Sequence, residues 1–263
     1  MSIIGNSVIV SLSPKKILPQ FTYSGNYKFE YEKLSNGDYN WELAILSGNN
    51  TNLKFTKGVK NIDIFLVGAG KNGSNGNPSG QSITGGKGGD GGNYLVVSNF
   101  QIDYDTDYSL TIGASQGNTT GFGYTTSGAS YKSGGAGASM PNITYPTTGT
   151  NAGNGVNGVK AFNEENFISL IGDYRYGASG GGGAVYRYSS GYGEFTFSNG
   201  AGAITGSGSG GIADPNSKNG ADATQSNYGA DGGGGNAIIY INSYRYGNGG
   251  LGSPGIIIIR NHR

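Results

Sequence analysis

Residues 85–97 read GGKGGDGGNYLVV. Three Gly-Gly-X triplets run straight into an apolar, strand-forming segment. Glycine loses more backbone freedom on folding than any other residue. Order here therefore requires a packing that side chains would prevent. A repeat of three matches polyproline-II geometry, with three residues per turn, a rise of about 3.1 Å and no internal hydrogen bonds. Such a rod cannot satisfy its own backbone groups. Several rods side by side can bond to one another, provided no side chain holds them apart. In 85–93 two faces are bare glycine, and Lys87, Asp90 and Asn93 line the third. Nine residues would make a rod roughly 28 Å long. The same spacing recurs at Gly70, Gly73 and Gly76, at Gly177, Gly180 and Gly183, at Gly229, Gly232 and Gly235, and at Gly249, Gly252 and Gly255. The spacing predicts a bundle of packed, extended rods. Collagen is excluded, because the glycine runs are short and broken by strands.

Glycine supplies 53 of the 263 residues, about three times the ordinary share. Charged residues make up 13% and the net charge is +1, so no electrostatic footprint points to nucleic acid or an anionic membrane. Cysteine is absent, which removes disulfides, cysteine-based zinc sites and thiol nucleophiles. The opening MSIIGNSVIVSLSPKK lacks the pattern of a secretion signal. Its apolar run is too short to span a bilayer.

Between the glycine runs lie short segments rich in β-branched and aromatic residues. YKFEYEKL (27–34) and DYNWELAIL (38–46) alternate and flank Asn36-Gly37, a strong hairpin signal. NIDIFLV (61–67), NYLVVSNF (93–100), DYSLTIG (107–113), AVYRY (184–188), GEFTF (193–197), NAIIYI (236–241) and GIIIIR (255–260) follow. ENFISLI (165–171) is the best helical candidate, and a poor one. The chain reads as all-β, with a strand-rich attachment segment at 1–60 and a glycine-rich domain at 61–263. Ile62, Ile64, Leu66, Val96, Ile112, Ile239, Ile257 and Ile259 are expected in one continuous core.

Catalytic and cofactor motifs are weak. Gly68, Gly70 and Gly73 form a literal GxGxxG after a strand, with Asp90 near ribose-ligand distance. A dinucleotide site needs a helix to start there, and SNGNPSGQS will not form one. No cofactor is expected. His262, the single histidine, reads as a surface residue, and Glu164-Glu165 as a solvated pair. No transition-metal cluster stands out; calcium on aspartates and carbonyls stays open. The chain is therefore expected not to be an enzyme.

Three tripeptides repeat: Tyr174-Arg175-Tyr176, Tyr186-Arg187-Tyr188 and Tyr244-Arg245-Tyr246, with Tyr192 near the second. Each lies beside a glycine run. Tyrosine and arginine give rigid contact area with polar handles and dominate binding hot spots. The first and third tripeptides are expected in exposed loops, close together at one end of the rods. For the second, core placement is an equal alternative. The loop 131–155 is a further candidate for the same surface.

FTKGVKNIDIFLVGAG, GGDGGNYLVV, DYSLTIGAS and GNGGLGSPGIIIIR, in this order, resemble the glycine-rich domain of phage and prophage tail proteins. The resemblance implies a jelly-roll-like antiparallel sandwich with an inserted polyglycine-II bundle. It also implies a receptor-binding adhesin of the tail-fibre tip type, carried on the virion tail. Its partners would be a bacterial surface polysaccharide or protein and, through the N-terminal region, a tail or baseplate protein. Homotrimer or single chain stays open. The alternatives are a structural spacer without receptor contact and a polysaccharide depolymerase.

Overall fold

A computed structural model describes residues 17–128, 130–143, 148–203, 208, 210–216, 218–223, 228–241 and 243–263. Residues 1–16, the start of the expected attachment segment, lie outside the described residues, as do 144–147 of the expected long loop. The strands, in chain order, are β1 (Gln20–Tyr23), β2 (Tyr27–Lys33), β3 (Tyr39–Ile45), β4 (Thr51–Lys57), β5 (Asn61–Val67), β6 (Ser82–Thr84), β7 (Tyr94–Gln101), β8 (Asp107–Leu110), β9 (Thr119–Gly121), β10 (Tyr124–Thr126), β11 (Ser139–Pro141), β12 (Val185–Ser189), β13 (Gly193–Phe197), β14 (Ala237–Tyr240), β15 (Ser243–Tyr246) and β16 (Ile256–Asn261). The protein is all-β. The helical candidate at 165–171 is not helical; a 3₁₀ turn lies just before it, at Ala161–Asn163.

A five-stranded antiparallel sheet, β2-β3-β16-β5-β7, packs against the three-stranded sheet β1-β4-β8. Strands from residues 20–57 share both sheets with later strands, so the expected boundary at 60/61 runs through the sandwich. Alternation sends Trp41, Leu43, Ile62, Ile64, Leu66, Ile257 and Ile259 into the space between the sheets. The opposite face, with Phe65, Val67, Ile256 and Ile258, is covered by Phe162, Phe167, Ile171 and Tyr176. β16 is thus buried on both faces, which is why it reads IIII rather than alternating. The expected single core divides in three. Val96 belongs to the second face, and Ile239 to a separate cluster with Ile83, Met140 and Val185 at the far end of the molecule. Ile112 packs at the edge of the first.

Between sandwich and far end run extended glycine segments. Rods 1 to 5 span 68–77, 84–93, 131–138, 150–156 and 177–184. Rod 6 spans 198–203, rod 7 contains 208, 210 and 211, and rods 8 to 10 span 218–223, 229–236 and 247–255. The described residues show no backbone–backbone hydrogen bond within a rod. Bonds between rods recur every third residue, as from Gly85, Gly88 and Gly91 amides to Ala138, Gly135 and Lys132 carbonyls. This is polyglycine-II geometry. Odd-numbered rods lead away from the sandwich and even-numbered rods return, so rods 1 and 10 pair antiparallel (Gly70 to Ser253, Gly73 to Gly250, Gly76 to Gly247), whereas rods 5 and 7 run parallel (Gly181 to Gly208, Ala184 to Gly211).

Two rods lie inside the bundle. Rod 5 exchanges hydrogen bonds with rods 2, 3, 4, 6, 7 and 9, and rod 9 with rods 1, 2, 5, 7, 8 and 10. Surrounded on all sides, each is bare on every face over four successive glycines, 180–183 and 232–235. These are the runs YGASGGGGA and YGADGGGGN. Rod 2 has one open face and keeps Lys87 exposed there, while its six glycines from Gly85 to Gly92 are buried. The two interior rods also overturn the expectation that each run is extended throughout. Gly177 and Gly229, their first residues, have φ of 70° and 71°. Glycine is required there, because the chain turns from a packed tyrosine into the rod.

Side chains on peripheral rods lace neighbours together. Asn72 and Asn75 accept from Gly252 and Gly249 amides, Asn151 and Asn154 from Ser198 and Ala201, and Asn219 and Asp222 from Asn248 and Leu251, at 2.7–3.0 Å. Each pair is three residues apart, one rod turn.

Asp231 sits fully buried in rod 9. Its Oδ1 accepts from the Lys71 amide at 2.6 Å, and its Oδ2 has no partner among the described residues. Burial pushes its carboxyl up to about 9; the Lys71 amide and the Lys71 and Lys87 charges oppose this, while Asp90 adds to it. The folded chain therefore holds a proton that the unfolded chain releases near pH 4. This contribution to stability is full below about pH 4 and is lost as pH rises through about 9. The slope approaches about 1.4 kcal/mol per pH unit. Urea titrations of the natural chain and Asp231→Asn should diverge across this window, with the variant the more stable at pH 8. Parallel curves would refute the buried neutral acid.

Candidate functional site

The alternation of rods decides where each tyrosine tripeptide lies. Tyr174-Arg175-Tyr176 precedes rod 5, which leads outward, so it sits at the sandwich end. Tyr244-Arg245-Tyr246 precedes rod 10, which leads back, so it sits at the far end. The two were expected together and exposed; the bundle separates them by its whole length. Tyr176 is 1% exposed and packs its ring edge-on against Phe65 at 5.4 Å. Burial, then the Glu42 carboxylate, holds its phenol far above the usual range. It is a core residue, and so it is not available to a receptor. Tyr174 is half-buried against the same cluster. Arg175 forks onto Glu165, at 2.9 and 3.3 Å, and donates to the Gly158 carbonyl.

The other two tripeptides meet in one sheet, β13-β12-β14-β15, at the far end. Rods 5 and 9 run parallel and feed β12 and β14, which explains the parallel pairing within an otherwise antiparallel sheet. Their register pairs Val185 with Ala237, Tyr186 with Ile238 and Tyr188 with Tyr240. Each pair is 52 residues apart, as are Gly177 and Gly229. Two related rod-and-hairpin units thus stand side by side.

Alternation gives this sheet two faces. Val185, Ala237, Ile239, Phe195 and Phe197 pack onto Ile83 and Met140 of the β6-β11 pair. The register puts Arg187, Tyr244 and Tyr246 on that face. Arg187 donates to Asn142 Oδ1 at 3.1 Å. Tyr244 and Tyr246, on the outermost strand, are 58% and 51% exposed. The other face carries Tyr186, Tyr188, Tyr240, Glu194 and Arg245. Tyr186, nearest the bundle, is buried. One step outward, the Tyr188 and Tyr240 rings stack with centroids 5.1 Å apart and planes 20° apart. Tyr192 is exposed in the β12–β13 turn. The sequence reading missed Tyr240, taking NAIIYI as a core strand. The signal was the 52-residue offset, which aligns Tyr240 with Tyr188.

The remaining chemical candidates are engaged elsewhere. The GxGxxG stretch is the start of rod 1, with Gly70 and Gly73 amides donating to Ser253 and Gly250. Glu164 binds Arg260 at 2.6 and 3.1 Å, so the expected solvated pair is instead split between two arginines. His262, expected as a plain surface residue, sits 2.7 Å from Asp63, which is buried. Burial alone would raise the Asp63 carboxyl, but hydrogen bonds from Asn99, His262 and Arg260 outweigh it and hold it below the usual range. Among the described residues no three carboxylates or histidines gather as a metal site.

A comparison with curated proteins finds no match. The model of the glycine-rich domain family matches residues 46–262, from just after β3 through the whole of β16 and one residue beyond. That span contains every rod and the whole far-end sheet, and the chain belongs to the glycine-rich domain family.

Proposed function

We propose that the protein is a phage or prophage tail adhesin whose far end recognises a bacterial surface structure. One observation carries this reading: Tyr192, Tyr240, Tyr244 and Tyr246, each 38–58% exposed, cluster at the end of the bundle remote from the sandwich. Exposed aromatics on a rigid scaffold are poor for solubility and good for contact. The glycine bundle holds them about 28 Å beyond the sandwich. The sandwich end faces the virion, and the N-terminal region joins a tail or baseplate protein. No catalytic step is assigned to it. A bare spacer has no need of the aromatic sheet, which sets this reading above the structural alternative.

The test is binding of the purified protein to cells of candidate hosts. Tyr244→Ala with Tyr246→Ala should weaken binding about tenfold or more, equivalent to about 1.4 kcal/mol. Melting temperature should barely move, because both side chains are largely exposed. Tyr176→Ala should do the reverse, destabilising the fold by about 3–5 kcal/mol while leaving the affinity of the folded fraction unchanged. Normal binding by the double variant would place the contact elsewhere.

A further inference from the structure

We propose that two copies of the chain pair through the outer edge of β2; the inference concerns the free chain and does not rest on the adhesin reading. Among the described residues β2 is the last strand of the five-stranded sheet, with β3 on one side and no strand on the other. The Leu46 amide donates to the Asn26 carbonyl at 2.9 Å, and the Leu34 amide to the Asp38 carbonyl at 2.8 Å. Antiparallel bonding alternates, so residues 28, 30 and 32 bond β3, while Tyr27, Phe29, Tyr31 and Lys33 turn their backbone groups outward. The side chains at this edge are aromatic. Tyr27 and Tyr31 are 46% and 56% exposed, and Phe29 between them is partly exposed. The facing three-stranded sheet ends at β1, whose Phe21 meets Tyr27 and Phe29 with ring centroids 5.5 Å apart. A long edge with exposed aromatics invites another strand.

The sequence of β2, YKFEYEK, selects the occupant. Set a second β2 antiparallel to the first, with Phe29 opposite Phe29 of the second copy. Tyr27 then faces Tyr31 of the second copy and Lys28 faces Glu30 of the second copy, and the two-fold axis repeats both pairs. Outward-turned residues meet outward-turned residues, so the aromatic pairs also exchange backbone hydrogen bonds. Aromatic pairs and opposite charges across strands stabilise, and like charges directly opposite do the reverse. Sliding by two residues sets Lys28 against Lys28 in one direction and Glu30 against Glu30 in the other. Sliding by one sets outward groups against inward ones. Lys28 and Glu30 are half exposed and 3.5 Å apart within one chain, so both can reach across. A two-fold contact requires a patch that complements itself, and residues 27–31 do so in this register. That match selects a second copy over an unrelated strand.

The test is sedimentation of the purified full chain over a range of concentrations, with hydrogen exchange read at the edge amides. The mass should rise from one chain to two, and the amides of Tyr27, Phe29 and Tyr31 should become protected as it does. Glu30→Lys should weaken the dimer about tenfold or more, because it sets like charges opposite each other twice. Lys28→Glu should do the same, but Lys28 also donates to the Ile171 carbonyl at 2.9 Å, so Glu30→Lys is the cleaner single reversal. Lys28→Glu with Glu30→Lys should restore the dimer, since each new charge again faces its opposite. Tyr31→Pro removes an outward amide, which an edge strand tolerates, and should leave a folded monomer. A chain that stays monomeric at every concentration would overturn the pairing. Edge amides protected in that monomer would show the edge filled by another segment, and exchanging ones would show it bare. A mass of three chains would overturn it too, because an antiparallel pair of edges closes with two copies. A dimer that the double reversal fails to restore would refute the register and with it the argument for a second copy.

Discussion

Gly234→Ala is expected to unfold the protein under conditions the natural chain survives. A Cβ built at Gly234 would lie 1.9 Å from the Gly86 carbonyl oxygen and 2.4 Å from its carbon. Gly89 is equivalent, with the Lys71 carbonyl oxygen 2.1 Å away. In an ordinary core an extra methyl displaces side chains, at about 1–3 kcal/mol. Here the nearest atoms are backbone, joined at Gly89 by the Asp231 Cβ at 3.0 Å, and each rod is tied to its neighbours every third residue. Widening one contact strains several ladders at once. We expect a loss of at least about 3 kcal/mol for alanine and more for Gly89→Val. The control is Lys87→Val, two residues from Gly89 and exposed. It removes an ion pair with Asp90 at 2.7 Å whose lysine is half exposed, which is worth at most about 1 kcal/mol. Similar melting temperatures for Gly89→Val and Lys87→Val would refute the packing register.

Deleting residues 255–263 is expected to leave an insoluble chain. This segment is β16, which pairs with β3 on one side and β5 on the other. Ile256, Ile257, Ile258 and Ile259 are all fully buried. At about 1.5–3 kcal/mol for each buried side chain, their loss approaches the whole stability of a typical domain, about 5–15 kcal/mol. The deletion also removes Arg260, which joins Asp63 and Glu164 and covers Phe162 at 3.9 Å. Two strand edges that were central would then be open, inviting aggregation. A soluble truncated chain with an intact melting transition would contradict the central placement of β16.

The glycine spacing was a reliable guide because it records a steric demand. A face that touches another backbone carries no side chain, so the number of bare faces tells how many sides of a rod are covered. GGKGGDGG keeps one face open, while GGGG in YGASGGGG and YGADGGGG marks the two enclosed rods. The hairpin at Asn36-Gly37 and the placement of NIDIFLV and IIIIR in one core followed from alternation and from continuous apolar runs; that the two strands pair came from the structure. Asp231 was not legible, because its sequence context differs from that of Ser179 by one residue and its burial follows only from enclosure.

The tyrosine tripeptides show where local reading ends. Tyr174-Arg175-Tyr176 and Tyr244-Arg245-Tyr246 are the same three residues beside the same kind of run. Nothing within either triplet separates a core tyrosine from an exposed one. The sequence by itself determined the all-β class, the polyglycine rods and the faces they leave open, because these depend on the size of side chains along one segment. The direction of each rod, the division of the core and the placement of the aromatic sheet at the far end were decided by the tertiary structure. Direction depends on how many times the chain has already crossed the bundle, and that parity determines which end each tyrosine reaches.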